Sequence, residues 1–347
     1  MSALEIRSPG ALASIQDIGR RGWRRIGVPW AGALAPQLLR IANTLVGNDA
    51  LAPVIECFDG GQQFVAREGA VRLAVAGDAQ LEHLCADGKR ALVAWRSVTL
   101  AEGETLRVVT TGPGRLAVVA VFGLARPQVL GSAATYARAA LGGLEGRALH
   151  AGDRLNVIAP APTPEQHLPQ PPTLDTGPIR VVLGPQADHF APASIDAFLS
   201  APFEITAEAD RMGVRLAGEP LVHRDAAARE IVSDAAVPGA IQVPGNGQPI
   251  VLLADGHTAG GYPKIATVIT ADLARLAERK PGEPVRFVAV SVAEAEDLAR
   301  AAEQSLQASL GNIMPLTGDG MIDLDALYSR NLLSGIIDGR EDDGDAA

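Results

Sequence analysis

A cluster of polar side chains interrupts an apolar part of the chain between residues 239 and 269, which read GAIQVPGNGQPIVLLADGHTAGGYPKIATVI. The polar residues include two glutamines, an aspartate, a histidine, a threonine, a tyrosine and a lysine, and a group of glycines lies among them. Backbone N–H groups next to glycines, together with one ammonium group, can bind an anion. The segment is therefore either a hairpin with a polar turn or the wall of a small-molecule site.

Several catalytic motifs are absent from the sequence. Gly256 and Gly261 have the spacing of a Walker A loop, but Tyr262 stands where that motif requires lysine. There is no G-x-S-x-G nucleophile elbow, and the histidines form neither H-x-x-x-H nor H-E-x-x-H, so no metal site is predicted. Two interpretations remain open. Either the glycines and Lys264 bind an anion, or Gly256, Gly260 and Gly261 only shape a turn and Lys264 is solvated.

A second polar segment lies near the N-terminus, in SIQDIGRRGWRRIGVPWAGA. Gln16, Asp17 and Arg20 lie beside glycines there. A bidentate pair between Asp17 and Arg20 that fixes a tight turn is the local interpretation. The functional interpretation is a polar loop at the mouth of a domain, and local physics leaves both open.

Composition limits the classes of function. The 347-residue chain carries a net charge of −10, and it has no basic stripe of the kind that nucleic-acid phosphates require. No signal peptide and no apolar run long enough to span a membrane is recognisable. The two cysteines, Cys57 and Cys85, are too few for a disulfide framework. These features predict a cytoplasmic protein that binds neither nucleic acid nor membranes.

The positions of apolar runs and turn residues predict a mainly β (α+β) fold. Short valine-rich runs indicate strands, and a Gly-Pro-Gly sequence at 112–114 predicts a hairpin between two of them. Apolar periodicity predicts helices over 33–48, over 270–282 with a threonine cap, and from 292 to 312. A proline-rich stretch predicts a linker. The expected organisation is an N-terminal domain (1–158), a linker (159–178), a C-terminal domain (179–300) and a helical and acidic tail (301–347).

Taken together, the motifs resemble those of a known family. The matching segments, in chain order, are SIQDIGRRGWRRIGVP, LLRIANTLVGN, a glutamate at Glu56 with Gly60-Gly61, LGSAATYARAALGGLEGRAL, ADRMGVRLAG and PGAIQVPGNGQPIVLLADGHTAGGYPKIATVI. They cover roughly residues 5 to 300 and resemble the biotin-dependent carboxyltransferase, or allophanate hydrolase subunit 2-like, family. That family includes the C subunit of 5-oxoprolinase, the Kip-type antagonist of a kinase inhibitor, and the carboxyltransferase portion of urea carboxylase.

The resemblance implies two cyclophilin-like β-barrel domains with a few peripheral helices. It also implies two partners, a protein of cyclophilin fold that resembles the B subunit of 5-oxoprolinase and a protein that resembles its A subunit. With these partners such a chain opens 5-oxoproline to glutamate using ATP. Lys264 and Asp255 are then expected to be catalytic. Substrate contacts are expected from Gln242, Gln248, His257, Thr258, Gly260, Gly261, Tyr262, Gln16, Asp17, Arg20 and Arg211.

This chain departs from the family pattern at several motif positions. Ala31 and Ala35 stand where serine and aspartate are common, Ala133 where arginine is common, and Gly256 and His257 where arginine and glutamine are common. If the usual groups contact substrate, this chain has changed its substrate or lost activity.

Three functions fit these observations. The first is that of the C subunit in an ATP-dependent 5-oxoprolinase acting on a small lactam or amide. The second is carboxyl transfer to urea or a related amide, in which biotin would arrive on a separate carrier protein. The third is a non-catalytic partner, or antagonist, of a kinase inhibitor that resembles the B subunit.

Overall fold

The computed structural model describes residues 2–316, which form mostly strands and few helices, so the predicted fold class is confirmed. The strands of the first half are β1 (Ser2–Pro9), β2 (Leu12–Gln16), β3 (Val54–Phe58), β4 (Gln62–Arg67), β5 (Val71–Ala76), β6 (Ala79–Cys85), β7 (Gly88–Val93), β8 (Arg96–Leu100), β9 (Thr105–Thr111), β10 (Leu116–Val121), β11 (Arg154–Val157) and β12 (Gln166–His167).

The second half contributes shorter strands and three of the four helices. Its strands are β13 (Ile179–Leu183), β14 (Phe203–Ile205), β15 (Gly213–Ala217), β16 (Asp234–Ala235), β17 (Ala240–Gln242), β18 (Ile250–Leu252), β19 (Ala259–Gly260), β20 (Lys264–Val268), β21 (Pro284–Val285), β22 (Phe287–Ala289) and β23 (Met314–Pro315). The helices among the described residues are α1 (Pro36–Val46), α2 (Pro192–Ser200), α3 (Leu273–Ala277) and α4 (Val292–Gly311).

Three large sheets organise these strands. The first has the order β11-β1-β4-β9-β6-β7, and the second the order β2-β3-β10-β5-β8-β12-β23. The third has the order β21-β14-β15-β18-β17-β20-β13-β22, in which only the β13–β22 pair is parallel. One hydrophobic cluster extends from Leu4 in β1 to Phe287 in β22, so the three sheets share a continuous core.

The strands β5 and β10 explain why the sequence shows unbroken apolar runs. Both are buried along their whole length, because they lie side by side inside the second sheet and α1 packs against them. A strand that is covered on both faces needs apolar residues on both. Helix α1 begins with Pro36 in its first turn and ends at Gly47, whose φ of 83° suits a glycine C-cap, as its sequence predicted.

Two local predictions are wrong. The Gly-Pro-Gly sequence does not join a hairpin, since β9 pairs with β4 and β6 while β10 pairs with β3 and β5. The turn therefore passes the chain from the first sheet to the second. Thr270 does not cap a helix either. It begins a single 3-10 turn, and α3 starts three residues later.

The predicted domain boundaries remain predictions. Within the stretch assigned to the linker, β12 pairs with β8 and with β23, and α4 extends across residue 300. Most of the predicted tail, residues 317–347, lies outside the described residues. Within residues 2–316 no helix is long and apolar enough to cross a membrane.

Candidate functional site

A buried ion network joins the first half of the chain to the second. Arg211 donates through Nε and Nη2 to the two carboxylate oxygens of Asp255, at 3.1 and 3.0 Å, and through Nη1 to Glu56. Its Nη2 also lies 2.6 Å from the carbonyl oxygen of Gly32. The second oxygen of Glu56 accepts from the N–H of Leu34 at 2.7 Å. A bidentate guanidinium–carboxylate pair is a rigid connection, so Arg211 fixes these segments relative to one another.

Burial determines the electrostatics of this network. Burial alone would lower the pKa of Arg211, but the negative charges of Glu56 and Asp255 hold it above its ordinary value. Burial raises the pKa of Glu56 against the opposing effects of Arg211 and the Leu34 N–H. The arginine therefore stays charged. Arg211 and the two carboxylates depend on one another, because no water is at hand to replace a lost partner in this buried place.

Asp17 and Arg20 do not form the predicted ion pair. Asp17 accepts instead from the N–H of Gly19 at 2.8 Å, from the hydroxyl of Ser132 at 2.6 Å and from the N–H of Ala133 at 2.6 Å. The local interpretation is therefore wrong, because the carboxylate is fully used in holding the 17–19 turn against the segment that follows residue 131. A carboxylate that accepts several hydrogen bonds is fixed in place.

Gln16 and Arg20 complete this second cluster. Gln16 accepts from the N–H of Gly32 at 3.1 Å and donates to Ser14 at 2.9 Å. The fully buried Arg20 donates to the carbonyl oxygens of Val129 and Ala134. Its Nη1 has no hydrogen-bond partner among residues 2–316.

Lys264 and Gln242 are direct neighbours in the third sheet. They oppose each other across β17 and β20, next to a β-bulge, so their side chains are within reach of one another. Lys264 is only 3% exposed, and its Nζ lies 2.9 Å from Oδ2 of Asp234. The interpretation of Lys264 as a solvated side chain is therefore wrong. The hydrogen bond from Lys264 is the main reason why the pKa of Asp234 is lowered.

Gln242 carries a free donor in a buried place. The residue is 1% exposed, and its Nε2 has no hydrogen-bond partner within the described part of the chain. A Cβ at Gly260 would lie 2.5 Å from this Nε2 and 2.8 Å from Nε2 of His257. Any larger residue at 260 would therefore collide with these side chains. The side chains of Gln242 and His257 both lie against the backbone of Gly260. Buried polar groups rarely lack a partner, so an open donor indicates a ligand or water position.

Two arginines act electrostatically on His257. The side chain is exposed at the surface, and partial burial, followed by the charges of Arg138 and Arg24, lowers the pKa of its imidazole. Arg24 lies over the ring of Trp30, with 5.2 Å from the guanidinium carbon to the ring centroid, and neither of its Nη atoms has a partner among the described residues. We refer to Gln242, His257, Gly260, Lys264 and Arg24 as the polar cleft. Its open donors are the amide group of Gln242 and the guanidinium of Arg24, which suit a carbonyl or carboxylate ligand.

The remaining predicted site residues are more scattered. Gln248 holds the backbone of Gly218, accepting at 3.1 Å and donating at 3.0 Å, and lines a separate depression together with Tyr262. Thr258 and Gly261 accept through their carbonyl oxygens from the N–H groups of the 231–236 segment. Within the glycine-rich segment, the structure thus brings Gln242, His257, Gly260 and Lys264 together and places Gln248 and Tyr262 elsewhere.

Sequence reasoning gave no site role to Glu56, Asp234 and Arg24, or to Arg138, whose charge acts on His257. Glu56 lies in one of the family motifs, and a carboxylate between Ile55 and Cys57 in an apolar strand is a usable signal of a buried ion pair. Asp234 gave no such signal, because its pairing with Lys264 depends on the short contact between β16 and β19.

Apart from the exposed His257, the positions that depart from the family pattern are buried. Ala31, Ala35 and Ala133 are at most 5% exposed, and a Cβ at Gly256 would lie 3.0 Å from the carbonyl oxygen of Leu253. An arginine at 133 or 256 therefore does not fit without rearrangement. The small residues at these places are part of the packing of this chain.

Comparison with known proteins gives this arrangement a family. The family description "Carboxyltransferase domain, subdomain A and B" matches residues 26–289, which is most of the chain. The chain belongs to this family. The resemblance inferred from the motifs is thereby confirmed.

The most similar relatives fall into two groups. The C subunit of 5-oxoprolinase from Escherichia coli is 39% identical over 293 residues, which are 84% of this chain and 93% of that protein. The protein of the same name from Haemophilus influenzae is 34% identical over 307 residues, covering 86% and 94%. The crystal structure of Kluyveromyces lactis urea carboxylase matches with a TM-score of 0.80 at 27% identity, over 92% of this chain and only 30% of that chain.

Proposed function

We propose that this chain is the C subunit of an ATP-dependent 5-oxoprolinase, which opens 5-oxoproline or a related lactam or amide to glutamate or the corresponding product. Two bacterial relatives are named as the C subunit of 5-oxoprolinase and match along nearly their whole length, which supports the choice. In this proposal the chain works in the cytoplasm with the B subunit, a protein of cyclophilin fold, and with the A subunit.

The observation that carries the proposal is the open amide donor of Gln242 beside the ammonium group of Lys264. A lactam offers a carbonyl oxygen as acceptor, and negative charge grows on that oxygen when the ring is attacked. A preorganised donor and a cation in a water-poor place stabilise such charge strongly. The carboxylate of 5-oxoproline would face the uncommitted guanidinium of Arg24, while His257 borders the opening.

In this scheme Lys264 is the catalytic group, and Asp255 acts through Arg211. Both oxygens of Asp255 accept from Arg211, so its carboxylate is already engaged in the ion network. Asp255 is followed directly by Gly256 and His257. It therefore fixes the start of the segment that carries His257 and Gly260, which makes it a positioning residue in the proposal.

ATP belongs to the partners in this proposal. The glycine-rich segment has no Walker A lysine, since Tyr262 occupies that place. Lys264 is already paired with Asp234, so the cleft offers the guanidinium of Arg24 to a single carboxylate. ATP supplies the activation of the amide oxygen, and the residues of this chain bind and orient the lactam.

Carboxyl transfer is the second candidate, and the similarity to urea carboxylase over 92% of this chain favours it. Urea is also a neutral amide whose carbonyl oxygen Gln242 could bind. The carboxyl group would arrive on biotin attached to a separate carrier. The third candidate, a binding partner of a kinase inhibitor that resembles the B subunit, predicts assembly without turnover.

The test is ATP-dependent glutamate release from 5-oxoproline by the chain purified together with its neighbouring subunits. Release that needs this chain is the expected result. A complex that assembles but releases no glutamate, from 5-oxoproline or from a panel of related lactams, would contradict the proposal. Biotin-dependent carboxylation of urea by the same preparation would establish the second candidate instead.

Single substitutions test whether Lys264 and Gln242 take part in turnover. Lys264→Met removes the ammonium group and keeps the apolar stem, while Lys89→Met removes a lysine that is exposed on β7 and serves as the control. Gln242→Leu removes the open donor, and losing one such donor costs roughly a hundredfold in turnover. Unchanged turnover of Lys264→Met in an assembled complex would refute the assignment of Lys264.

A further inference from the structure

A large cavity in the structure is lined by none of the residues that form the polar cleft. Its volume is about 570 Å³, within the range of small-molecule sites. Helices α1, α3 and α4 form most of its wall, and the segment 172–175 closes part of it. The lining also includes Gly77, Asp78 and Trp95 from the first half of the chain.

Glu278 is a buried carboxyl group without a partner in this cavity. The residue is 8% exposed and lines the cavity, and its carboxylate makes no hydrogen bond or ion pair with any of residues 2–316. A Cβ at Gly114 would lie only 2.8 Å from its Oε2, so the glycine leaves the room that this carboxyl group occupies. Burial without a partner disfavours the charged form of this carboxyl group, and a cation bound in the cavity would stabilise that form.

Asp78 is the second carboxylate of the cavity. It accepts one long hydrogen bond, 3.4 Å, from the indole N–H of Trp95. Its negative charge acts on Glu278, because burial first and then Asp78 and Glu56 raise the pKa of Glu278 to about 7. Both residues line the same cavity and lie against the same turn, since a Cβ at Gly112 would lie 2.9 Å from the Cβ of Asp78 and one at Gly114 would lie 2.8 Å from Oε2 of Glu278. A positive charge placed between the two carboxyl groups would stabilise both.

The positive charges of the cavity wall are already neutralised. Arg40 donates to both oxygens of Glu303, at 3.0 and 2.8 Å. Arg275 lies 2.8 Å from Asp272 and 2.8 Å from Asp175. The lining contains two arginines and four carboxyl groups, and Asp78 and Glu278 form no ion pair within residues 2–316. The ammonium group of Lys280 is bonded to the carbonyl oxygen of Gly112 instead. An anionic ligand would meet repulsion here.

The rest of the wall is apolar. Leu38 and Ile41 come from α1, Leu306 from α4, and Leu174 and the ring of Trp95 complete this surface. Such a surface can bury a hydrocarbon chain or ring, which contributes about 25 cal/mol for each Å² removed from water. A bare metal ion would leave this surface unused, and no group of three or more metal-ligating side chains occurs within residues 2–316.

We propose that this cavity binds a primary amine that carries an apolar chain or ring, with its ammonium group between Asp78 and Glu278 and its apolar part against Trp95, Leu38 and Leu306. The site is separate from the polar cleft, and it does not depend on the 5-oxoprolinase assignment. The amine would supply the missing cation, and its hydrocarbon part would fill a space between helices of both halves.

The test uses phenethylamine as the probe and phenethyl alcohol as its neutral counterpart, with the full chain at about pH 8, where Glu278 is ionised. Isothermal titration calorimetry should show saturable binding of the amine and at least about tenfold weaker binding of the alcohol. Glu278→Gln and Asp78→Asn should each weaken amine binding by about tenfold or more. Glu219→Gln, the same change at an exposed glutamate, should have no effect.

Location is tested by fluorescence, since Trp95 lines the cavity. Phenethylamine should change the tryptophan emission of the wild type, and Trp95→Phe should abolish the change although Trp23 and Trp30 remain. The proposal is refuted if the amine does not bind, if the alcohol binds equally well, or if Glu278→Gln and Asp78→Asn, shown to be folded by circular dichroism, bind the amine as the wild type does.

Discussion

Replacing Glu278 by glutamine is expected to remove a defined part of the pH dependence of the stability of this protein. The change keeps the size and shape of the side chain and removes its titration. Glu278 is suited to the test because it is only 8% exposed and lacks an ion-pair partner among the described residues. Its pKa is raised from the ordinary 4.5 to about 7, by burial first and by Asp78 and Glu56 next.

The magnitude follows from the two pKa values. Well below pH 4.5 the group is protonated in the folded and in the unfolded chain, so it makes no difference to stability. Between pH 4.5 and about 7 the unfolded chain loses the proton while the folded chain keeps it, so stability falls as pH rises. Since one pKa unit corresponds to about 1.4 kcal/mol, the wild type loses about 3 kcal/mol over this window.

The assay is urea unfolding of the full chain at a series of pH values from about 4 to about 9. The free energy of unfolding of Glu278→Gln minus that of the wild type should rise by about 3 kcal/mol across the window and stay constant above it. Glu219→Gln should show no comparable rise. A difference that is constant with pH would refute the reasoning, because it would mean that the carboxyl group of Glu278 titrates alike in both states.

Three other substitutions test separate features. Arg211→Met should destabilise the protein by about 3–5 kcal/mol in urea unfolding, because it leaves two buried carboxylates without a cation; a loss below about 1 kcal/mol would contradict the described network. Gly260→Ala should lower glutamate release without lowering the melting temperature by more than a few degrees, because the methyl group displaces Gln242 Nε2; full activity would contradict the position of the cleft. Ser291→Ala should cost about 1 kcal/mol, since Ser291 and Glu294 form a capping box at the start of α4; an unchanged melting temperature would show that this helix end does not limit stability.

Features that depend on neighbouring residues were predictable from the sequence. The helix α1 followed from its apolar stripe, Pro36 and the glycine stop, and α4 from its periodicity. The runs that became β5 and β10 were recognisable because central strands are apolar on both faces. The pairing of strands was not predictable in this way, and the expected hairpin at 112–114 failed because a turn signal does not say which sheet the next strand joins.

In the candidate site, too, the features set by neighbouring residues were predictable and those set by strand pairing were not. The glycine-rich segment was identified from residue types alone, and it contains both Gln242 and Lys264. The partner of Lys264 could not be found, since Asp234 reaches it only through the pairing of β16 with β19. The sequence also could not show that Gln248 and Gln242 have different roles. They are six residues apart, yet one holds the backbone of Gly218 and the other offers a donor that is free among the described residues.

The ion network around Arg211 explains how two distant segments can present one polar cleft. Glu56 and Gly32 belong to the first half of the chain and Asp255 to the second, and the guanidinium of Arg211 donates to all three. A buried ion pair adds little net stability compared with apolar packing, but its geometry is strict. A hydrophobic contact at this place would tolerate sliding between the halves, whereas the fork of Arg211 does not. Because His257 lies two residues after Asp255, the network sets the position of the imidazole relative to the arginines of the first half. We infer that Arg211 acts as a positioning residue for the polar cleft, and that its charge is retained for geometry rather than for stability.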